Sequence, residues 1–152
     1  MFNKILVVCL GNICRSPTAK FMLQEALPDK HIDSAGITAM VKDGKGWDMD
    51  SKARQIAEAN GYSFAEHEAQ QLNRELVSQF DLILVMENEH RQYIGKRYPE
   101  VMAKTMLLGQ WLADNGKLGG KDIPDPYKRS DEVYQHVFDL IEKSCNEWKK
   151  RL

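Results

Sequence analysis

Residues 4–17 read Lys4-Ile5-Leu6-Val7-Val8-Cys9-Leu10-Gly11-Asn12-Ile13-Cys14-Arg15-Ser16-Pro17, an apolar run that turns abruptly into a loop holding glycine, thiols and arginine. The run is continuously apolar after Lys4 and rich in branched side chains, as a strand buried on both faces should be. Ser16-Pro17 then offers an N-cap followed by proline at the first helical position, and Ala19, Met22, Leu23, Ala26 and Leu27 recur with helical period. A buried strand that feeds a loop and then a helix opens an α/β unit, and the loop between them lies where such folds bind anions.

Outward from this segment, Asp81-Leu82-Ile83-Leu84-Val85 and Thr105-Met106-Leu107-Leu108 read as further doubly buried strands, with His31-Ile32-Asp33-Ser34-Ala35 a weaker one nearer an edge. Helical patterns fill the gaps. Ser51 to Asn60 carries Ala53, Ile56 and Ala57 on one side with Gly61 as its stop, a short helix is expected near Asn73, and another after Asn88. The clearest helix runs from about Ser130, where Val133, Val137, Leu140, Ile141, Ser144, Cys145 and Trp148 mark one face. Asp131-Glu132 open it and Lys149-Lys150-Arg151 close it, matching the macrodipole. Glycine and charge are dense at Lys42 to Gly46 and at Gly116 to Lys121, where long surface loops are expected. Strands alternating with helices predict an α/β protein: one three-layer domain over residues 1–152, its parallel sheet of about four strands flanked by helices on both faces.

The 152 residues suffice for one hydrophobic core and not for two ordinary domains. A formal net charge of -1 lacks the basic excess that marks nucleic-acid binders, so no nucleic-acid partner is expected and any anion must be held locally. The opening apolar run breaks at Gly11, too soon for a signal-peptide core or a membrane span, which excludes membrane insertion and predicts a cytoplasmic protein. Cys9, Cys14 and Cys145 are odd in number and show no CxxC or Cys/His spacing, which disfavours a disulfide framework and suits a reducing compartment. His31, His67, His90 and His136 are scattered, so neither a metal nor an organic cofactor is expected.

Two residue types in the loop carry chemistry. A cysteine at the strand end faces backbone N–H groups that converge on an anion, an environment that favours the thiolate and makes Cys9 a candidate nucleophile. Arg15, separated from Cys9 by five loop residues, can turn its planar fork back over the same anion and hold two oxygens, as phosphoryl transfer requires. The Walker pattern also cradles phosphate, but no Gly-Lys pair follows Gly11, so nucleotide binding is not indicated. A solitary C-x5-R would be read as packing; the joint occurrence of thiol, glycine, arginine, hydroxyl and helix-start proline favours the functional reading.

The loop resembles that of the low-molecular-weight protein tyrosine phosphatases, whose form is C-x-G-N-x-C-R-S-P, and the match is complete. Asp125-Pro126-Tyr127 supplies the family's second signature, and Asp33-Ser34-Ala35-Gly36 and His67 agree as well. The likeness covers essentially the whole chain. It implies a four-stranded parallel sheet and a phosphotyrosine phosphatase acting through a cysteinyl-phosphate, with Cys9 as nucleophile, Arg15 as clamp and Asp125 as general acid then base. Ser16 would be the hydroxyl partner of the thiolate. Asn12, Ser34 and His67 would brace the loop, Leu10, Gly11, Asn12, Ile13, Cys14 and Ser16 would contribute to substrate binding, and Tyr127 and Met40 would wall the ring. Lys128 after Tyr127, Glu87 in place of an aspartate and Met40 in place of an aromatic residue are similar to the bacterial branch that dephosphorylates polysaccharide-export tyrosine kinases. Such an autokinase is therefore the expected partner, and the enzyme is expected to act as a monomer.

Three other functions compete. An arsenate reductase shares the loop but needs cysteines for a disulfide relay, and Leu82 to Glu89 has none. A phosphoarginine phosphatase would carry threonine where Ile13 stands, and an apolar Ile13 favours an aromatic substrate. A silent phosphate-binding module has no use for Cys9, Arg15 and Asp125 together. Cys14 reads either as a reversible disulfide partner of an oxidised Cys9 or as a small buried residue, and Cys145 as core.

Overall fold

A computed structural model describes residues 2–113 and 119–152. β1 (Lys4–Cys9) pairs in parallel with β2 (His31–Gly36) on one side and with β5 (Leu82–Val85) on the other, and β6 (Thr105–Leu107) completes a four-stranded sheet in the order β2-β1-β5-β6. The period-two alternation of strands divides the apolar side chains between two faces. Ile5, Val7, Cys9, Leu82 and Leu84 join the apolar faces of α1 (Arg15–Ala26) and α5 (Asp131–Lys149) in one core. Leu6, Val8, Ile83 and Val85 join Val77 of α3 (Arg74–Ser78), Ile94 of α4 (Asn88–Arg97) and Val101 of a 3-10 segment (Pro99–Lys104) in the other. Each fully buried aliphatic side chain is worth ~1.5–3 kcal/mol, so the unbroken apolar runs of β1 and β5 belong in the middle of the sheet. The expected layered α/β architecture is the one found.

The strand order also locates the site. From β1 the chain moves outward to β2, then returns to place β5 on the other side of β1, so the connections leave the sheet in opposite directions between β1 and β5. In open parallel sheets such a switch point opens a crevice at the carboxyl ends of the strands. Cys9 ends β1, and Glu87 follows β5 after one residue.

Local details differ from expectation. Ser16 is not the cap of α1: the helix starts at Arg15 with Cys14 at the N-cap position, and the Ser16 side chain is turned inward to meet Cys9 and Asn12. Lys42 to Gly46 is not a plain loop. β3 (Val41–Lys42) and β4 (Lys45–Gly46) form an antiparallel hairpin, with Asp43 and Gly44 both at positive φ in the turn, a geometry that an Asp-Gly pair supplies readily. Thr105-Met106-Leu107 is an edge strand, as β2 is at the other side of the sheet, with Met106 half-buried; Trp148 of α5 donates its indole N–H to the Leu108 carbonyl at 2.7 Å. α2 (Ser51–Ala59) is capped by the Asp50 carboxylate accepting from the Ala53 N–H, and α3 by Asn73. Of the second expected loop, residues 116–118 lie outside the described residues.

Candidate active site

The loop from Cys9 to Arg15 takes its shape from what its carbonyls bond. The Cys9, Leu10 and Gly11 carbonyls accept from the N–H groups of Ile37, Thr38 and Met40 at 3.0, 2.9 and 3.0 Å. That of Asn12 accepts from His67 Nε2 at 2.6 Å, and that of Ile13 from the Asp50 N–H at 2.9 Å. The Cys14 carbonyl accepts from the Thr18 hydroxyl at 2.8 Å. Across a trans peptide the C=O and the next N–H point in opposite directions, so turning these carbonyls outward aims the following amides inward. Such converging amides form an anion cradle. The Asn12 N–H shows the direction, lying 3.3 Å from Cys9 Sγ.

Asn12 holds the turn. Its φ of +59° is a left-handed conformation that costs about 1–2 kcal/mol for most residues and less for asparagine. Fully buried, its amide donates to Ser16 Oγ at 2.7 Å and Ser34 Oγ at 3.0 Å, and its Oδ1 accepts from the Gln70 N–H at 2.9 Å. Three hydrogen bonds at about 1 kcal/mol each outweigh the strain. Because Ser16 Oγ already accepts from Asn12, its own proton is free to point at Cys9 Sγ, 2.9 Å away. The hydroxyl and the Asn12 amide thus direct two donors at one sulfur, which suits an anionic acceptor.

Gly36 permits the loop to lie this low. A Cβ there would come within 2.7 Å of the Leu10 carbonyl oxygen and 3.0 Å of the Gly11 carbonyl carbon, so the last residue of β2 must be glycine for the cradle to close over it. His67 braces the far side. A carbonyl only accepts, so Nε2 carries the proton, while Nδ1 is buried with no partner; burial holds the imidazole below its ordinary pKa and keeps it neutral. Burial, with Asp50 adding to it, raises the Cys14 thiol well above its ordinary value, so Cys14 stays protonated beside Cys9.

Arg15 is buried to 2% exposure, which an arginine tolerates only when its donors are matched. Nη1 donates to Glu87 Oε2 at 2.6 Å and to the Ile123 carbonyl at 2.7 Å. Nη2 faces Asp125 Oδ2 at 3.8 Å. His90, buried and held below its ordinary pKa chiefly by that burial, places Nε2 3.2 Å from the same Glu87 oxygen. Asp125 Oδ1 accepts from the Tyr127 N–H at 3.1 Å, leaving Oδ2 to the Arg15 side.

These groups surround a cavity of about 260 Å³ lined by Cys9, Leu10, Gly11, Ile13, Cys14, Arg15, Thr38, Met40, Asp125 and Tyr127. The residues singled out from sequence therefore converge: the backbone and side chains of the loop form the floor, Asp125 faces Arg15, and Met40 and Tyr127 stand on the wall. Ser34 and His67 lie behind the floor, and so do the side chains of Asn12 and Ser16, which were expected among the substrate-binding residues but are turned inward to each other, to Ser34 and to Cys9. Sequence reasoning missed Thr38, the bracing of Arg15 by Glu87 and Ile123, and Gln70. Glu87 had a usable signal in its position just past the end of a central strand. The Ile123 carbonyl had none, since any residue type supplies one.

A thiol on the floor of an amide cradle, with a buried guanidinium across from it at the switch point of a parallel sheet, defines a class of α/β proteins built to hold a phosphoryl group beside sulfur. The model of the family "Low molecular weight phosphotyrosine protein phosphatase" matches residues 4–152, and the chain belongs to that family. It is 42% identical over 151 residues to the low molecular weight protein-tyrosine-phosphatase Etp of Escherichia coli strain K12, a match covering 99% of this chain and 95% of the relative. The structure of Vibrio vulnificus Wzb in complex with benzylphosphonate superposes with a TM-score of 0.89 at 45% identity, covering all of both chains. The YwlE arginine phosphatase from Geobacillus stearothermophilus shares the fold with a TM-score of 0.84 at 32% identity, over 99% of this chain and 92% of that one.

Proposed function

We propose that the protein hydrolyses phosphotyrosine in proteins through a cysteinyl-phosphate formed on Cys9. The single observation that carries this reading is the convergence of Cys9 Sγ, the inward-facing amides and the Arg15 guanidinium on one cavity. Arg15 Nη1 is committed to Glu87 and Ile123, so Nη2 and Nε–H are the edge offered to two phosphoryl oxygens. The sulfur attacks phosphorus in line and the P–O bond to the phenol breaks, with the equatorial oxygens held by the amides and Arg15. Asp125, protonated on Oδ2, gives its proton to the departing phenolate, then takes one from the water that breaks the S–P bond and releases phosphate. The proton taken from that water leaves Asp125 protonated again for the next turnover.

Substitution of Asp125 by alanine is expected to lower kcat/KM on phenyl phosphate by roughly 10²–10⁴-fold, the contribution of a positioned acid, and far less on p-nitrophenyl phosphate, whose leaving group needs little protonation. Equal losses on the two esters remove Asp125 from the acid role.

Ile13, Met40 and Tyr127 give the wall an apolar and aromatic character that suits a phenyl ring better than a phosphorylated guanidine. Cys145, 5% exposed in the core and 3.9 Å from the Ala19 carbonyl, is poorly placed for the thiol relay of an arsenate reductase. The physiological substrate is a bacterial tyrosine autokinase of capsule or exopolysaccharide export, met by a monomer in the cytoplasm; the Lys128, Glu87 and Met40 pattern of the bacterial branch supports this. Steady-state assays on phosphotyrosine, phosphoserine and phosphoarginine peptides test the substrate class, with phosphotyrosine expected to lead in kcat/KM. A phosphoarginine preference overturns the assignment.

A further inference from the structure

Between β5 and α4 the chain passes Met86, Glu87 and Asn88, and the segment carrying Asp125 is laid along this turn. The Ile123 N–H donates to the Met86 carbonyl at 2.8 Å. Asp122 Oδ1 accepts from the Asn88 N–H at 2.9 Å and lies 3.4 Å from the Asn88 side-chain amide. Glu87, in the N-cap position of α4, makes no side-chain cap of its own because its carboxylate is taken by Arg15. The first amide of the helix is therefore capped from 34 residues away in sequence, by the segment that bears Asp125. That one turn thus anchors both working groups: Glu87 fixes Arg15, and Asn88 fixes Asp122.

From this arrangement we infer that Asp122 is a positioning residue for proton transfer: by docking on the N-terminus of α4 it sets the distance of the Asp125 carboxyl from the cavity, without itself touching substrate. The reasoning is geometric. Asp125 is three residues beyond Asp122. Between them only the Ile123 backbone is tied down, by its bonds to Met86 and Arg15, and Pro124 stiffens the connection. Asp122 is the last side-chain anchor before the acid, and it is bound to the turn that also carries the partner of the phosphate clamp. An anion at a helix N-terminus is the charge the helix dipole favours there. With the anchor lost, Ile123 is still tied to Met86 and so still braces Arg15, while Asp125 is freed to move, so the defect should fall chiefly on leaving-group protonation.

The inference rests on Asp125 being the acid, and the test separates the two. In Asp122→Ala, kcat/KM on phenyl phosphate is expected to fall roughly 5- to 10-fold, the net value of one ordinary hydrogen bond, while p-nitrophenyl phosphate changes by about twofold at most and the Ki of vanadate is unchanged. Asp122→Asn keeps an acceptor oxygen on the Asn88 N–H and is expected to restore most of the loss. In an Asp125→Ala background, Asp122→Ala should add nothing. An equal fall on both esters, no fall on phenyl phosphate, or an Asp122→Asn variant as impaired as Asp122→Ala overturns the inference. The Asp125→Ala single variant judges the underlying assignment independently: if it shows the leaving-group split and Asp122→Ala does not, only the positioning role is lost.

Discussion

Cys9→Ser is expected to lower turnover of phosphotyrosine by about 10⁴-fold or more while the protein still folds and still binds phosphate. The reason lies in what the substitution changes and what it leaves. The cradle is made by carbonyls bonded to Ile37, Thr38, Met40, His67, Asp50 and Thr18, none of which involves the Cys9 side chain. The clamp is braced by Glu87 and Ile123, again independently of sulfur. A serine hydroxyl fits the space and meets the same donors from Ser16 and Asn12, but an alcohol is barely ionised near neutral pH, and these two neighbours are donors rather than bases. The anion site therefore survives and the nucleophile does not. Steady-state rates, a thermal melt and calorimetric titration with inorganic phosphate separate these effects, and the same variant should retain phosphotyrosine protein from a lysate. A residual rate within tenfold of the parent would remove Cys9 from the nucleophile role.

Arg15→Lys is the second large effect, and it tests the claim that one guanidinium does two jobs at once. Nη1 is spent on Glu87 and the Ile123 carbonyl, both within 2.7 Å, and the remaining edge is left for the anion. An ammonium is a point charge without two separated edges. If it stays with Glu87, the phosphoryl oxygens lose their fork; if it turns to the phosphate, the Glu87 carboxylate loses its partner. The expected result is a fall in kcat of about 10²–10³-fold, comparable with losing an oxyanion donor, together with weaker vanadate binding. The melting temperature should fall too, because Arg15 is 2% exposed and breaking a buried pair is destabilising. Kinetics and melt on one preparation decide it: a variant that keeps kcat within threefold shows that positive charge alone, without the fork, is sufficient (a threshold of roughly 0.7 kcal/mol).

Much of this was legible in the linear chain because the signals are local. The apolar continuity of Ile5 to Val8 and of Leu82 to Val85 reports burial on both faces, and the helical period of Val137, Leu140, Ile141 and Cys145 reports one buried face of α5. The thiol, glycine and arginine of the loop lie within seven residues, Cys9 to Arg15, so their proximity needs no fold to establish it. Where a local rule failed, a tertiary contact had overridden it. Ser16 reads as a helix cap by position, yet its hydroxyl is worth more between Asn12 and Cys9 in the interior than at a helix start. Asp43-Gly44 is a hairpin turn with no strand pattern around it, because the flanking strands are only two residues each.

The order of residues in the chain was enough to set the alternation of strands and helices, the anion-binding loop and the pairing of Cys9 with Arg15, since each depends on neighbours a few positions apart. Folding alone settled which groups brace that loop and aim its functional atoms. His67 reaches Asn12 across 55 positions, Glu87 reaches Arg15 across 72 and the Ile123 carbonyl reaches it across 108. Gly36 matters only because β2 passes beneath Leu10 and Gly11. Such contacts arise from the crossing of the chain at the switch point between β1 and β5, and a hydrogen bond carries no trace in sequence of how far along the chain its acceptor lies.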